Sequence, residues 1–184
     1  MNGFANRSWR NGLQTHVEIP LLVRLLRVPA GRDVLETGCG RGVGLVALAQ
    51  ACRPASLTGV DIDNGLLRLA RARCTARHVT VGLVQGDVRE LPFPDETFDV
   101  VIDFGTLYHV RPARQALSEI ARVLRAGGLL VHEAPLAQLL AHPVRSTHRR
   151  LPWRLEPQLV PVRGAALWGC RAKKAAPAVG ATAA

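Results

Sequence analysis

Val34-Leu35-Glu36-Thr37-Gly38-Cys39-Gly40-Arg41-Gly42-Val43-Gly44 stands in the first third of a chain of 184 residues. Val34-Leu35 closes a short apolar run. An acidic residue follows, then glycines at alternate positions, then the apolar segment Val43 to Ala49. This order predicts a strand, a glycine turn and a helix. Glycine lets the turn take positive φ and lets a ligand approach bare backbone. The helix N-terminus behind it presents unpaired N–H groups to a polar or acidic ligand. The dinucleotide fingerprint Gly-x-Gly-x-x-Gly needs its third glycine for close helix–strand packing. Counted from Gly38, that place is taken by Val43. Glu36 also argues for another ligand. A carboxylate there would repel a pyrophosphate but suits the cationic amino group of an amino acid.

Working outward, Ser56 to Asp61 reads as a second strand. Asp61 ends it, about 20 residues past the glycine turn, where a carboxylate can accept both hydroxyls of a nucleoside ribose. Asp63 is expected to N-cap the next helix, over Asn64 to Thr75, whose apolar side is Leu66, Leu67, Ala70 and Cys74. Val79 to Val84 and Phe98 to Asp103 read as strands three and four. Pro112 to Arg125 reads as a helix with Pro112 in its first turn. Leu129 to Glu133 is strand five. Upstream, Leu13, Val17, Leu21, Leu22, Leu25 and Leu26 fall near helical spacing. Pro20 is expected to divide them into two helices. These either cover a ligand or only cap the sheet. Pro29-Ala30-Gly31 turns the chain into the first strand.

Whole-chain features bound the function. The length suits one core. No apolar run approaches the roughly 20 residues of a membrane span. Met1 to Arg10 lacks the apolar core of a signal peptide, which points to the cytoplasm. Cys39, Cys52, Cys74 and Cys170 make no Cys-x-x-Cys pair, so no metal is expected and all four read as reduced. Net charge is +10, and Lys173 and Lys174 are the only lysines. The excess of arginine fits an RNA surface, an anionic membrane surface or simply solvated faces. One cluster stands out at Arg145, His148, Arg149, Arg150 and Arg154.

Glu36-x-Gly38-x-Gly40-x-Gly42 resembles motif I of the class I S-adenosylmethionine (SAM)-dependent methyltransferases. Gln85 to Val101 resembles a longer signature of the same family, through Gly86-Asp87, Leu91-Pro92-Phe93, Asp95 and Phe98-Asp99. It is the most specific match. Phe104 to Val110 looks like the region after strand four in ubiquinone/menaquinone-type small-molecule methyltransferases, which often carry His or Asn at the His109 position. Arg122 to Gly128 is similar to the family's helix–Gly-Gly–strand connection. The resemblance covers residues 33 to 133. It implies a doubly wound, Rossmann-like α/β fold with a mostly parallel seven-stranded sheet and a shortened C-terminal part. The implied division is a helical cap over 1–30, a SAM-binding domain over 31–172 and a disordered tail over 173–184.

The resemblance also implies roles. Glu36, Gly38, Cys39, Gly40 and Arg41 would surround the amino-acid part of SAM. Asp61, with Ile62 beside it, would hold the ribose. Asp87 would accept from the adenine amino group, and the Val88 N–H would donate to a ring nitrogen. Asp103 and Phe104 would flank the methionine portion. His109 is either near the transferred methyl or structural. Strand alternation lets only one of His132 and Glu133 face an acceptor pocket. A base, if one is needed, is His109, then Glu133 or His16. Asp99 reads as a fold residue.

After strand five a short helix fits Leu136 to Ala141. Leu159 to Val162 and Ala165 to Arg171 could pair as a hairpin through Arg163-Gly164. Pro161 is tolerable there only at a sheet edge. Residues 142–156 are a substrate loop or a linker. The acceptor pocket is thus open, or completed by a partner chain such as a second copy. The Asn/Asp-Pro-Pro-Tyr motif of amino-directed nucleic-acid methyltransferases and the Pro-Cys of the C5-cytosine enzymes are absent. Weight therefore shifts to a small-molecule or lipid-like acceptor, with peripheral membrane contact as an option. An RNA methyltransferase and a non-catalytic SAM-binding protein are the alternatives. Val43 and Asp87 argue against a nicotinamide oxidoreductase.

Overall fold

The computed structural model describes residues 17, 19–25, 27–133, 156–165 and 168–174. In chain order the elements are α1 (Ile19–Leu25), β1 (Asp33–Thr37), α2 (Val43–Cys52), β2 (Ser56–Asp61), α3 (Asn64–Ala76), β3 (Gly82–Gln85) and β4 (Phe98–Asp103). A short 3-10 turn (Thr106–Tyr108), α4 (Ala113–Val123), β5 (Leu124–Glu133), β6 (Leu159–Ala165) and β7 (Trp168–Lys173) follow. The seven strands form one sheet in the order β3-β2-β1-β4-β5-β7-β6. The first five are parallel, and the β6–β7 hairpin adds antiparallel to β5. The strand order reverses direction between β1 and β4. A crevice opens at such a switch point, beyond the carboxyl ends of the strands.

Helices cover both faces. On one, Ile19 and Leu22 of α1, Leu45, Val46 and Leu48 of α2, and Leu67 and Cys74 of α3 pack on Val34, Val100, Ile102 and Val131. On the other, Ala116, Leu117, Ile120 and Val123 of α4 pack on Leu35, Val60, Val101 and Leu130. The difference is written in the helices. α4 carries its apolar residues at spacings of three and four, one stripe against the sheet. α2 reads Val-Gly-Leu-Val-Ala-Leu-Ala-Gln-Ala-Cys and is buried through most of its circumference, touching both α1 and the sheet.

Pro20 is the second residue of α1, where a missing N–H leaves no bond unmade, and of the residues before α1 only Val17 is described. Several expectations need correction. Strand three is shorter than the apolar run suggests. Val79 N–H still closes the end of α3 on the Cys74 carbonyl at 2.9 Å, so pairing starts only at Gly82, opposite Thr58. Gly127-Gly128 does not precede strand five. β5 leaves α4 directly at Leu124, and the two glycines ride in a register break where Phe98 faces Leu124 but Val100 faces Leu129. The hairpin turn is not at Arg163-Gly164. β6 runs on through both residues until Ala165 pairs with Trp168. Pro161 does lie on the edge strand, beside a register shift. β7 extends to Lys173, past the expected strand end at Arg171, and Lys174 N–H donates to the Gln158 carbonyl. The helix expected at Leu136 to Ala141, the basic cluster of 145–154, and Phe4, Trp9 and His16 lie outside the described residues.

Candidate active site

The glycine turn, the ends of β2 and β3 and the loop after β4 surround a cleft of about 430 Å³. Of the residues singled out in the sequence, Gly38, Asp61, Ile62, Asp87, Val88 and His109 line it. Arg89, Thr106 and Arg111 line it too, and nothing in the sequence reading marked them. Gly38 has a φ of 60°. A Cβ there would collide with the Thr106 side chain, so the turn and the β4 loop can close on each other only through bare backbone.

Asp61 has two duties. Its Oδ2 accepts from Gly40 N–H at 2.8 Å and its Oδ1 from Asp63 N–H at 2.9 Å. The bonds fix the glycine turn to β2. Each oxygen keeps a second lone pair for a hydroxyl in the cleft. Asp63 caps α3 as expected, accepting from Gly65 and Leu66 N–H. Arg41 is exposed, and its carbonyl accepts from Arg73 Nε at 3.0 Å. Cys39 turns inward against Gly59. Burial, then Glu36, then Asp61 hold its thiol protonated.

Glu36 is buried next to last in β1, and its Oε2 has no hydrogen-bond partner. The carboxylate presses on Gly44, where a Cβ would collide with it. Burial, reinforced by Asp103 and then Asp61, raises its pKa well above the usual carboxylate range. An orphaned acid of this kind is costly unless a cation completes it.

Asp103 lies beneath the β4 loop rather than along the cleft wall. It is fully buried and accepts from Thr37 Oγ1 at 2.7 Å and from the N–H groups of Gly105 and Leu107 at 2.9 and 3.2 Å. Burial pushes its pKa up to about 6, against the pull of those bonds. Its contribution is to shape the loop that carries Thr106 and His109. Phe104 is half-buried against the α1–α3 side of the core.

Asp87 is embraced by its own neighbour. Arg89 donates its backbone N–H to Oδ1 at 2.8 Å and Nε to both oxygens at 3.0 Å, and Nη2 pairs with Oδ2. The Arg89 side chain holds the Asp87 carboxyl below its ordinary range. Arg89 Nη1 also reaches the Arg111 carbonyl at 2.7 Å, joining the β3 and β4 loops across the cleft. Behind Asp87, Arg122 of α4 donates to the carbonyls of Leu91 and Phe93 at 2.9 and 2.8 Å and to Asp95 at 2.8 Å. Glu119 accepts from Leu91 N–H and from Arg122. The Leu91-Pro92-Phe93 segment is thereby bolted to α4.

His109 is exposed on the cleft wall. The preceding Tyr108 is buried and donates its hydroxyl to the Glu133 carbonyl at 2.9 Å, which fixes the β4 loop to the end of β5. Glu133 and His132 are themselves buried, and neither is part of the cleft wall. His132 Nδ1 donates to the Glu133 carbonyl at 2.7 Å, and burial lowers the ring's pKa to about 4. The ring occupies the space that a side chain at Gly169 would need. Among the described residues, no group of His, Cys, Asp and Glu could hold a metal ion.

A family described as a methyltransferase domain matches residues 35–132, more than half of the chain. The chain belongs to the class I SAM-dependent methyltransferases. Its sheet order and layered helices are those of the Rossmann-like fold of this class, and SAM is the cofactor of the class. A protein of Pyrococcus horikoshii, 22% identical, superposes with a TM-score of 0.69 over 92% of both chains. Among curated relatives, a fatty-acid O-methyltransferase of Mycolicibacterium smegmatis is 43% identical over 55% of this chain and 36% of its own. A phthiotriol/phenolphthiotriol dimycocerosates methyltransferase of Mycobacterium tuberculosis is 37% identical over 65% of this chain and 47% of its own. The chain thus spans less than half the length of either relative. The residues present suit SAM: the unpartnered Glu36 oxygen, the glycine turn closed on Thr106, and the carboxylates of Asp61 and Asp87 around one cleft.

Proposed function

We propose that this methyltransferase moves a methyl group from SAM to an oxygen of a lipid-like acceptor, a long-chain acid or alcohol. The observation that carries the cofactor half is the convergence of Glu36, Asp61 and Asp87 at the ends of three neighbouring parallel strands. Glu36 would pair with the amino group, Asp61 with the ribose hydroxyls, and Asp87 with the adenine amino group while Val88 N–H meets a ring nitrogen. Gly38 to Gly42 would give backbone contact. The acceptor half is supported by the names of both relatives quoted above, each of which specifies a lipid.

Bound SAM supplies an activated methyl on a sulfonium, which leaves the protein to align the acceptor oxygen in line and to accommodate its proton. His109 is exposed on the cleft wall that also carries Thr106 and is our candidate base. His109→Ala is expected to lower turnover by about 10²-fold or more, while affinity for S-adenosylhomocysteine stays within a few-fold. Unchanged turnover removes His109 from the chemistry.

The deciding experiment supplies methyl-tritiated SAM with a long-chain fatty acid, a long-chain alcohol or bulk tRNA. Label entering the organic phase with either lipid is the expected result. Label in the tRNA would establish the RNA alternative. Tight binding of S-adenosylhomocysteine with no transfer to any of the three would favour a non-catalytic SAM-binding protein.

A further inference from the structure

Among the described residues, arginine dominates the charge along α2 and α3, with the exposed Asp63 at the N-cap of α3. From Gly38 to Val60 and from Asn64 to Gly86 there is no Asp or Glu. These stretches hold α2 and α3, which lie with α1 on one side of the sheet. Arg24, Arg27, Arg53, Arg68, Arg71 and Arg77 are exposed there. None of them forms an ion pair with a described carboxylate. The ion pairs of Arg89, Arg122, Arg125 and Lys173 instead gather at the β3 loop, α4 and the strand ends.

Exposed apolar side chains accompany these arginines. Leu21 and Leu25, one turn apart on α1, are each about half exposed, and so is Val17 just before it. Leu69 is as exposed on α3, between Arg68 and Arg71. Ile62 is 64% exposed where β2 passes into α3, and it also lines the cleft. Among the described residues one other large apolar side chain, Val162, is comparably exposed. No aromatic ring is among them, whereas surfaces that grip single-stranded nucleic acid stack bases on aromatics.

We propose that the α1–α3 face docks on an anionic lipid bilayer. Leucine and valine side chains would enter the headgroup region while the arginines lie at lipid phosphates, the arrangement of a monotopic interfacial surface. No described helix is long and apolar enough to cross a membrane, so the contact is peripheral. Ile62 joins the face to the rim of the cleft. The inference stands apart from the choice of acceptor, because docking is measured without turnover.

The test is flotation of the full chain with vesicles of phosphatidylcholine alone or with a third phosphatidylglycerol. Wild type is expected to float with the anionic vesicles and to be released by high salt. Arg68→Glu/Arg71→Glu is expected to lower partitioning about 25-fold or more, at about five-fold per arginine lost. Leu21→Glu/Leu25→Glu is expected to lower it comparably. Titration of each variant with S-adenosylhomocysteine shows that the fold and cofactor site survive. No flotation of wild type, or equal flotation of all variants, overturns the proposal. So does displacement of wild type from anionic vesicles by a trace of RNA, which would mark the face as a nucleic-acid surface. If vesicles bind but no lipid accepts a methyl, docking stands and the acceptor reading fails.

Discussion

At the scale of single residues, Glu36 is the most consequential side chain of the molecule. A carboxyl buried with one oxygen unpartnered and two acids nearby resists ionisation. An ammonium ligand reverses that preference, since it binds the anion and not the acid. Binding of S-adenosylhomocysteine should therefore expel a proton from Glu36. The sign follows from the raised pKa. Affinity should rise as pH climbs through that pKa and level off above it. Calorimetry in buffers of different ionisation enthalpy would report the released proton as a buffer-dependent heat. Glu36→Gln should bind roughly ten- to a hundred-fold more weakly, as expected for one charge-assisted contact, and show no proton release. A buffer-independent heat for wild type would place the amino group elsewhere.

At the scale of elements, the loop from Gly86 to Thr97 is held from outside the cleft. Glu119 and Arg122 on α4 take up the Leu91 N–H and the carbonyls of Leu91 and Phe93. Glu96 and Thr97 N–H groups bond the carbonyls of Arg122 and Val123, and Phe93 meets Phe98 edge to face. This is why a segment with few repeating backbone bonds of its own can hold Asp87 and Val88 in register with an adenine edge. Arg122→Ala should loosen the loop without touching the cleft. S-adenosylhomocysteine should then bind about ten-fold more weakly, while S-inosylhomocysteine, which lacks the exocyclic amino group of the adenine, changes little. A uniform loss for both ligands would instead mean general destabilisation.

At the scale of the whole molecule, two buried groups pull the pH dependence in opposite directions. Asp103, raised to about 6 by burial, binds more protons folded than unfolded and so favours folding as pH falls. His132, lowered to about 4 by burial, binds fewer protons folded than unfolded. Its contribution is complete above its unfolded pKa of about 6.5 and is lost as pH falls toward 4. The two partly cancel in wild type. The expectation is therefore set as a difference. His132→Gln should gain roughly 3 kcal/mol relative to wild type between pH 7.5 and 4 in urea unfolding. A constant difference across that range would show that the imidazole titrates normally.

The sequence by itself determined what depends on chain-local order. The glycine turn, the acid at the end of β1, Asp61 at the end of β2, the Asp63 cap and the parallel core strands each rest on residues a few positions apart, where backbone geometry leaves little choice. It also yielded the cofactor class, through the resemblance of those local pieces to the motifs of a known family. Tertiary structure alone decided which side chains meet across crossovers. Thr37 and Asp103 are 66 positions apart, and Leu91 and Glu119 are 28 apart. Thus Asp103 became a buried brace for the loop, and α4 became the anchor of the nucleoside loop. The register break at Gly127-Gly128 and the placing of α1, α2 and α3 on one face were also decided there. Such pairings follow from the order and hand in which strands pack, and no stretch of sequence carries that order within itself.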